Sequence, residues 1–148
     1  MATIRSARST DSEALSELAR TAYAHYVDRI GREPAPMMED YGYLISLGNV
    51  WVAEQCGSIV GLLVLEVEPD HLLLNNVAVS PEVQGTGIGA QLLAFAEMHA
   101  REHDLSEIRL YTNEAMTENI DYYPRHGYVE THRATEEGYS RVFFAKQL

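Results

Sequence analysis

The hydrophobic positions of the chain recur with a helical period in some stretches and with a strand period in others. Apolar residues stand three and four positions apart over residues 15–26 and 88–103, which is the spacing of the buried face of a helix. The segment Thr10-Asp11-Ser12-Glu13 fits a capping box and predicts the start of the first helix. Further helices are predicted over residues 37–47 and 118–126, so the pattern indicates four helices in all.

Between these helices the apolar residues form short runs that are typical of strands. The predicted strands cover residues 3–7, 51–54, 59–67, 72–79, 108–112, 128–133 and 139–145. Residues 72–79 are almost continuously apolar, which is typical of a strand that is covered on both faces. This order of elements predicts an α/β domain whose mixed central sheet carries helices on both faces.

Composition narrows the classes of partner. The chain has 148 residues, enough for one domain with a real core, and a formal net charge of −11. The acidic charge argues against a nucleic acid partner, because phosphate neutralisation needs clustered Lys and Arg. The single cysteine, Cys56, excludes an intramolecular disulfide and argues against a zinc cluster. No apolar run reaches the length of a membrane span and no signal-peptide core is present, so we expect no membrane partner and a cytoplasmic location.

The most informative polar stretch is a glycine-rich turn, residues 84–89, between a predicted strand and a predicted helix. Glycine adopts backbone angles that other residues avoid and leaves the backbone open to a ligand, and amides at a helix N-terminus favour phosphate. The spacing GxGxG differs from the GxGxxG of a Rossmann site, and the Lys-Ser/Thr of a P-loop is absent. The turn therefore predicts a phosphate-bearing ligand; the alternative is a turn that only packs the helix on the strand.

The glycine turn and a second segment resemble the GNAT superfamily of N-acetyltransferases. The family's acetyl-CoA signature, Arg/Gln-x-x-Gly-x-Gly/Ala, is matched by Gln84-Gly85-Thr86-Gly87-Ile88-Gly89. Residues 76–81 resemble the fourth strand of the family with the turn after it, and residues 119–128 resemble its second block. The resemblance implies one GNAT-like domain over residues 1–148, with a mostly antiparallel sheet of about seven strands flanked by about four helices.

The resemblance also implies acetyl-CoA as the acyl-donor substrate and no metal. Amides of the turn would hold its pyrophosphate, and the backbone of the fourth strand would pair with its pantetheine arm. The residues implied in donor binding are Val77, Ala78, Val79, Gln84, Gly85, Thr86, Gly87, Ile88, Gly89, Asn119 and Tyr123. For Asn119 the alternative is a helix-start cap. Because the turn contains no Lys or Arg, we expect only mild salt dependence of acetyl-CoA affinity.

Tyr123 matches the tyrosine to which the resemblance assigns the role of general acid, protonating the departing thiolate. The alternatives are a purely structural core aromatic at this position, or Tyr122 as the true counterpart. The strand over residues 72–79 contains no acid, which puts a carboxylate base on that strand in doubt. Asn76 is a catalytic candidate that would anchor water or substrate, unless it bridges backbone groups. Glu66 is a candidate base acting through water, with a solvated strand end as the alternative.

Aromatic and acidic residues are concentrated over residues 23–43, which the resemblance places along the acceptor site. The predicted acceptor-binding residues are Tyr26, Met37, Asp40 and Tyr41. Cation–π and ionic contacts there would suit a small cationic amine; the alternative is a core stripe beside solvated acids. His99 and His103 stand four apart on a predicted helix, but without a third ligand they predict a surface pair rather than a metal site.

The resulting prediction is an N-acetyltransferase that moves an acetyl group from acetyl-CoA to a primary amine of a small, cationic molecule by direct attack in a ternary complex. Two alternatives stay open. One is acetylation of a protein lysine or N-terminus, and the other is a non-catalytic acyl-CoA-binding sensor. The closing pair of strands also leaves a homodimer open, as the resemblance implies.

Overall fold

Seven strands form one sheet in the order β1-β2-β3-β4-β5-β7-β6. The computed structural model describes residues 2–148. The strands are β1 (Thr3–Ser6), β2 (Val50–Gln55), β3 (Ser58–Val67), β4 (Leu72–Val79), β5 (Glu107–Asn113), β6 (Val129–Glu136) and β7 (Tyr139–Gln147). Every neighbouring pair is antiparallel except β4 and β5, which are parallel. The predicted α/β fold with a mixed, mostly antiparallel sheet is therefore confirmed.

Helices cover both faces of the sheet. They are α1 (Ser12–Tyr23), α2 (Val27–Ile30), α3 (Tyr41–Ser46), α4 (Ile88–Glu102) and α5 (Thr117–Arg125). Leu15 of α1 and Tyr41 of α3 belong to the core on one face, and Leu92 of α4 and Tyr123 of α5 belong to the core on the other. Within residues 2–148, no helix has both the length and the apolar character needed to cross a membrane.

The sheet opens in its middle. The parallel strands β4 and β5 pair only at Leu72 with Ile108 and at Leu73 with Arg109. Beyond these residues the two strands separate, so the second half of β4 has a partner only on the β3 side. The edge of β4 that faces β5 is therefore left without a strand partner, and it forms one wall of an opening.

A bulge in β4 changes which side chains reach each face. The register between β3 and β4 shifts between Val64 and Leu65, which leaves Asn75 without a paired residue. An extra residue in one strand reverses the alternation of side chains after it. Leu74, before the bulge, lies in the core with α4, whereas Ala78, after it, lies in the core with α1.

The helix predicted over residues 37–47 is wrong in its first half. Residues Ala35–Met38 form a 3₁₀ turn, Glu39 is extended, and the helix begins only at Tyr41. Asp40 caps it, because its carboxylate accepts the backbone N–H of Tyr43 at 3.1 Å. Prolines in the preceding turn cannot donate a helical hydrogen bond, so the chain is interrupted where a continuous helix was expected.

The predicted capping box at residues 10–13 is also wrong. Helix α1 begins at Ser12, and the side chain of Asp11 makes no cap hydrogen bond with it. That carboxylate instead accepts hydrogen bonds from the Arg5 guanidinium at 2.8 Å and from the backbone N–H of Arg8 at 2.7 Å. Both contacts are charge-assisted, and the bond to Arg8 caps the short 3₁₀ turn Ser9–Asp11 rather than α1 itself.

Candidate active site

Two cavities meet at the opening between β4 and β5. The first, called the glycine cleft, has a volume of about 470 Å³ and lies between the end of β4, the turn before α4, and α5. The second, called the splay cavity, has a volume of about 70 Å³ and lies between β4, β5, β7 and residues 34–39. Four residues line both cavities: Tyr23, Val77, Asn119 and Tyr123. The sheet opening thus connects a larger cleft to a small inner cavity.

The turn before α4 has the geometry of an anion site. Gly85 and Gly87 have φ angles of +83° and +92°, and residues other than glycine rarely adopt this backbone conformation. A Cβ on either glycine would meet nothing within 4 Å, so backbone conformation rather than lack of space requires glycine here. Gly87, Gly89 and Ala90 line the glycine cleft, and the amides of a first helical turn have no intrahelical partner. This part of the cleft therefore fits a phosphate-bearing ligand.

Gly89 serves a different purpose from the other two glycines. A Cβ at this position would lie 2.9 Å from the hydroxyl oxygen of Tyr122 on α5, so glycine allows α5 to approach the start of α4. Two other residues of the predicted donor set do not line the cleft. The hydroxyl of Thr86 donates to the carbonyl of Val83, and Ile88 is buried in the core.

The glycine cleft contains basic groups that the sequence analysis missed. Arg125 and His126, at the end of α5, both line it. Within residues 2–148 the guanidinium of Arg125 forms no ion pair, so its charge is available to a ligand. The sequence does place these two basic residues at the end of the predicted helix, directly before the glycine that ends it. The positive charge of the cleft thus comes from α5 and not from the glycine turn.

Tyr123 lies where the two cavities meet. Its side chain is buried, with 7% of the residue exposed, and it packs against Tyr128 and Phe144. Burial raises the pKa of Tyr123 well above its ordinary value, so the phenol is protonated at neutral pH. Tyr122 lines only the glycine cleft. Of the two tyrosines, Tyr123 alone is placed to exchange a proton with groups in both cavities.

Asn119 also borders both cavities. It stands in the first turn of α5, whose N-cap is Met116, so the alternative of a helix-start cap at Asn119 is wrong. Its side-chain amide donates a hydrogen bond to the hydroxyl of Thr112 on β5 at 3.2 Å. This contact orients the amide oxygen without occupying it.

Asn76 connects β4 to the helices above it. Its amide oxygen accepts a hydrogen bond from the hydroxyl of Tyr23 at 2.6 Å, and its amide nitrogen donates to the hydroxyl of Tyr41 at 3.0 Å. The hydroxyl of Tyr41 donates in turn to the carbonyl of Pro36 at 2.6 Å. Asn76 is buried, so this chain of hydrogen bonds satisfies polar groups that burial would otherwise leave costly. The arrangement favours a positioning role for Asn76 at the wall of the splay cavity.

The remaining predicted residues are not brought together. Glu66 lines neither cavity and borders a separate surface pocket that includes His99 and His103. Tyr26 lines the glycine cleft and stacks on His25, with ring centroids 3.8 Å apart. Met37, Asp40 and Tyr41 line neither cavity, because the break before α3 directs other residues of that segment inward. Within residues 2–148, no group of three or more His, Cys, Asp or Glu side chains could hold a metal ion.

Glu39 and Arg141 are the charged side chains that line the splay cavity, and neither was among the predicted site residues. Glu39 stands at the break between the 3₁₀ turn and α3, a break that the helical pattern conceals. Arg141 stands in β7 at an ordinary strand position, and its neighbours in sequence carry no signal of a site. It reaches the cavity because β7 pairs with β5 at the open side of the sheet.

A segment called the strap, residues 24–40, contacts the β5 side of the opening. The guanidinium of Arg29 pairs with the carboxylate of Glu118 on α5 at 2.5 Å, and the hydroxyl of Tyr139 on β7 donates to the carbonyl of Glu33 at 2.7 Å. The strap therefore spans the opening and closes one side of the splay cavity.

The fold is an α/β domain whose glycine cleft, beside a splayed fourth strand, has the geometry of a site for a phosphate-bearing ligand. Residues 46–130 match the family model of the acetyltransferase (GNAT) domain. The chain belongs to this family.

One curated relative is similar in sequence, and solved structures share the fold. The mycothiol acetyltransferase of Cellulomonas flavigena is 28% identical over 135 residues, which is 82% of this chain and 38% of the relative; the chain thus spans well under half the length of that relative. The PaiA N-acetyltransferase of Thermoplasma acidophilum, solved in complex with coenzyme A, has a TM-score of 0.82 at 20% identity, covering 100% of this chain and 99% of that one. The ribosomal-protein-S18-alanine N-acetyltransferase of Escherichia coli has a TM-score of 0.76 at 19% identity, covering 99% and 94%.

Proposed function

We propose that the chain is an acetyl-CoA-dependent N-acetyltransferase that acts on a primary amine of a small molecule by direct attack in a ternary complex. The observation that carries the proposal is the position of Tyr123, which lines both the glycine cleft and the splay cavity. A proton donor at that junction is suited to a reaction between a donor held in one cavity and an acceptor held in the other.

The glycine cleft would hold the acyl donor. Amides at the start of α4 suit its pyrophosphate, and Arg125 adds a positive charge at the same cleft. The carbonyls of Val77 and Val79 accept hydrogen bonds from the side chains of Tyr23 and Gln84, so these residues present their backbone to the open side of β4. The exposed edge of a strand suits an extended, amide-bearing arm. When bound there, acetyl-CoA would supply the activated thioester.

Three further roles are assigned to Tyr123, Asn76 and Glu66. Tyr123, protonated at neutral pH, would donate its proton to the leaving thiolate. Asn76 would fix Tyr23 and Tyr41 at the cavity wall through its two hydrogen bonds. The proton of the attacking amine needs an acceptor, and Glu66 could serve only through water, because it lies outside the cavity.

The size and closure of the splay cavity favour a small acceptor over a polypeptide. Its volume is about 70 Å³, so it suits only the reacting polar end of an acceptor. The strap contacts both α5 and β7, which reduces the open groove that an extended peptide would need. The acidic net charge of −11 supports an amine that arrives as a cation.

Two measurements test the proposed function. Acetyl-CoA is expected to raise the melting temperature of the protein, whereas NAD and ATP at the same concentration are not. Release of CoA thiol is then followed over polyamines, amino sugars, amino acids and peptides. Protection by acetyl-CoA without thiol release from any of these would favour the acyl-CoA sensor instead. Turnover of peptides alone would favour acetylation of a protein N-terminus or lysine.

A further inference from the structure

The splay cavity carries one charge of each sign. Glu39 and Arg141 line it from different elements, and within residues 2–148 they form no ion pair with each other. We propose that the acceptor is zwitterionic: an amine that carries a free carboxylate close to the reacting nitrogen, as in an α-amino acid. This inference rests on the proposed N-acetyltransferase function and names its substrate class.

Arg141 is held in place with donors to spare. Its guanidinium lies over the rings of Tyr111 and Tyr139, at 4.4 and 5.6 Å from the centroids, and only 11% of its side chain is exposed. Its Nη1 donates to the carboxylate of Glu136 at 2.9 Å. A guanidinium has five N–H donors, and the remaining donors of Arg141 have no hydrogen-bond partner among the described residues. A preorganised fork of this kind suits bidentate binding of a carboxylate.

Glu39 supplies the opposite charge. Its carboxylate forms no hydrogen bond or ion pair with another described residue. Glu39 is exposed as a residue, but partial desolvation of its carboxyl group raises its pKa, and the nearby carboxylates of Glu66 and Asp40 raise it further. Negative groups that repel one another are stabilised by a cation placed between them, and a substrate ammonium would provide that cation.

Other acceptors would bind only one of the two charged side chains. A simple amine or polyamine would satisfy Glu39 but would bring no anion to Arg141. A peptide N-terminus would do the same, because its nearest carboxyl group is already an amide. These acceptors lack the carboxylate that would bind the free donors of the Arg141 fork, so they are expected to react less well than a free amino acid.

The test compares matched acceptors. Release of CoA thiol is measured with each common L-amino acid, with its primary amide and with its decarboxylated amine. For the best amino acid, kcat/KM is expected to exceed that of its amide and of its amine by about tenfold or more, because a hydrogen-bonded charge pair is lost in both.

Variants connect that preference to the cavity. Arg141→Leu is expected to raise KM for the amino acid by about 10- to 100-fold while changing KM for the amide less than about threefold. Glu39→Gln is expected to raise KM for both acceptors, because both carry the amine. Arg101→Leu is the control, since this arginine lies on α4 with 60% of its side chain exposed and away from both cavities. Protection of each variant from heat unfolding by acetyl-CoA verifies that it is folded. Arg141→Lys keeps the positive charge but loses the two-pronged guanidinium, so it is expected to give an intermediate KM for the amino acid.

Two results would overturn the inference while leaving acetyl transfer intact. The first is that the wild type acetylates amino acids and their amides equally well. The second is that the KM for the amino acid is unchanged in folded Arg141→Leu. Turnover of no amine or peptide, in a protein that acetyl-CoA still protects, would instead contradict the proposed function and with it this inference.

Discussion

At the scale of single residues, two adjacent tyrosines of α5 have different surroundings. Tyr123 is buried and lines both cavities, whereas Tyr122 lines only the glycine cleft, with its hydroxyl beside Gly89. Both phenols have a raised pKa because of burial, so both are protonated at neutral pH. Position rather than acidity therefore distinguishes Tyr123, the proposed proton donor, from its neighbour.

Substitution of Tyr123 tests that distinction. Tyr123→Phe removes the hydroxyl and keeps the ring in its core contacts, so kcat is expected to fall by about 10²-fold or more, as for loss of a general acid. The dissociation constant for acetyl-CoA should change little, which calorimetry can measure. Tyr122→Phe is the matched control and should keep kcat within about threefold. Full activity in Tyr123→Phe would remove Tyr123 from the mechanism.

Gly89 and Tyr122 provide a paired prediction. Gly89→Ala places a Cβ 2.9 Å from the Tyr122 hydroxyl, so α5 or the tyrosine must shift and the glycine cleft must change shape. We expect acetyl-CoA affinity to fall about tenfold. In the double variant Gly89→Ala with Tyr122→Phe, the clashing oxygen is gone, and affinity should partly recover. Equal affinities in the single and double variants would show that the contact with Tyr122 is not the reason for glycine.

At the scale of elements, the sequence pattern locates the strands better than the relations between them. The predicted strand over residues 72–79 is confirmed at both ends, because its apolar run and the turns around it are local features. The bulge at Asn75 and the separation of β4 from β5 depend on which strands become neighbours. The local sequence pattern does not show which strands become neighbours, so the two cavities could not be predicted from the sequence.

The difference between local and long-range features also explains which residues of the candidate site the sequence indicated. The glycine turn and Tyr123 were found because the resemblance rests on contiguous residues. Arg141 was missed because a strand arginine usually indicates a solvated edge. Glu39 lies in the segment that the resemblance places along the acceptor site, but it was not selected there, because a helical pattern runs through a segment that breaks to form a cap at Asp40. Residues that reach a cavity through long-range pairing have no signature in their own neighbourhood.

The strap gives a prediction at this scale. Arg29→Gln removes the ion pair with Glu118. Both side chains of this pair are about half exposed to solvent, so the free energy of unfolding should change little. The acceptor KM should nevertheless rise several-fold, because the strap closes the splay cavity. Arg20→Gln is the control, since Arg20 forms a similar exposed pair with Glu17 on α1 at 2.6 Å. An unchanged acceptor KM in Arg29→Gln would show that the strap does not shape the cavity.

The Arg29–Glu118 ion pair also predicts how the effect of Arg29→Gln on the acceptor KM depends on pH. The Arg29 guanidinium lowers the pKa of Glu118 to about 2, so the carboxylate is charged and the pair is formed at any pH well above that value. The ratio of the acceptor KM values of Arg29→Gln and wild type should therefore be constant above about pH 5. If the ratio instead falls to one within a pH range in which Glu118 stays charged, the effect on KM belongs to other groups that titrate in that range.

At the scale of the whole molecule, the active-site opening divides a sheet that must still hold together. Strands β1 to β4 and strands β5 to β7 are joined by two paired positions between β4 and β5 and by the cores on the two faces. On the β1 side, Arg5 pairs with Asp11 at 2.8 Å and with Glu54 at 3.1 Å. This triad connects β1, the start of α1 and β2, and it contributes stability far from the reaction.

The triad predicts how stability depends on pH. The Arg5 guanidinium, and then the backbone N–H of Arg8, lower the pKa of Asp11 below its ordinary 3.8. A carboxyl group whose pKa is lower in the folded state stabilises that state above its unfolded pKa, and the stabilisation is lost as the pH falls through the folded value. Asp11→Asn should therefore reduce the free energy of unfolding at neutral pH by about 1–3 kcal/mol, the usual contribution of hydrogen bonds to a charged group. The difference from wild type should shrink below about pH 4, where the wild-type carboxylate also becomes protonated.

Urea unfolding between neutral and acidic pH measures both curves. Glu13→Gln removes the same charge from an exposed position on α1 and should follow the wild-type curve, which separates the triad from the effect of net charge. Two parallel curves for Asp11→Asn and wild type at every pH would contradict the pKa shift. In that case the packing of the neutral side chain, and not the ion pair, would account for the stability that Asp11 provides.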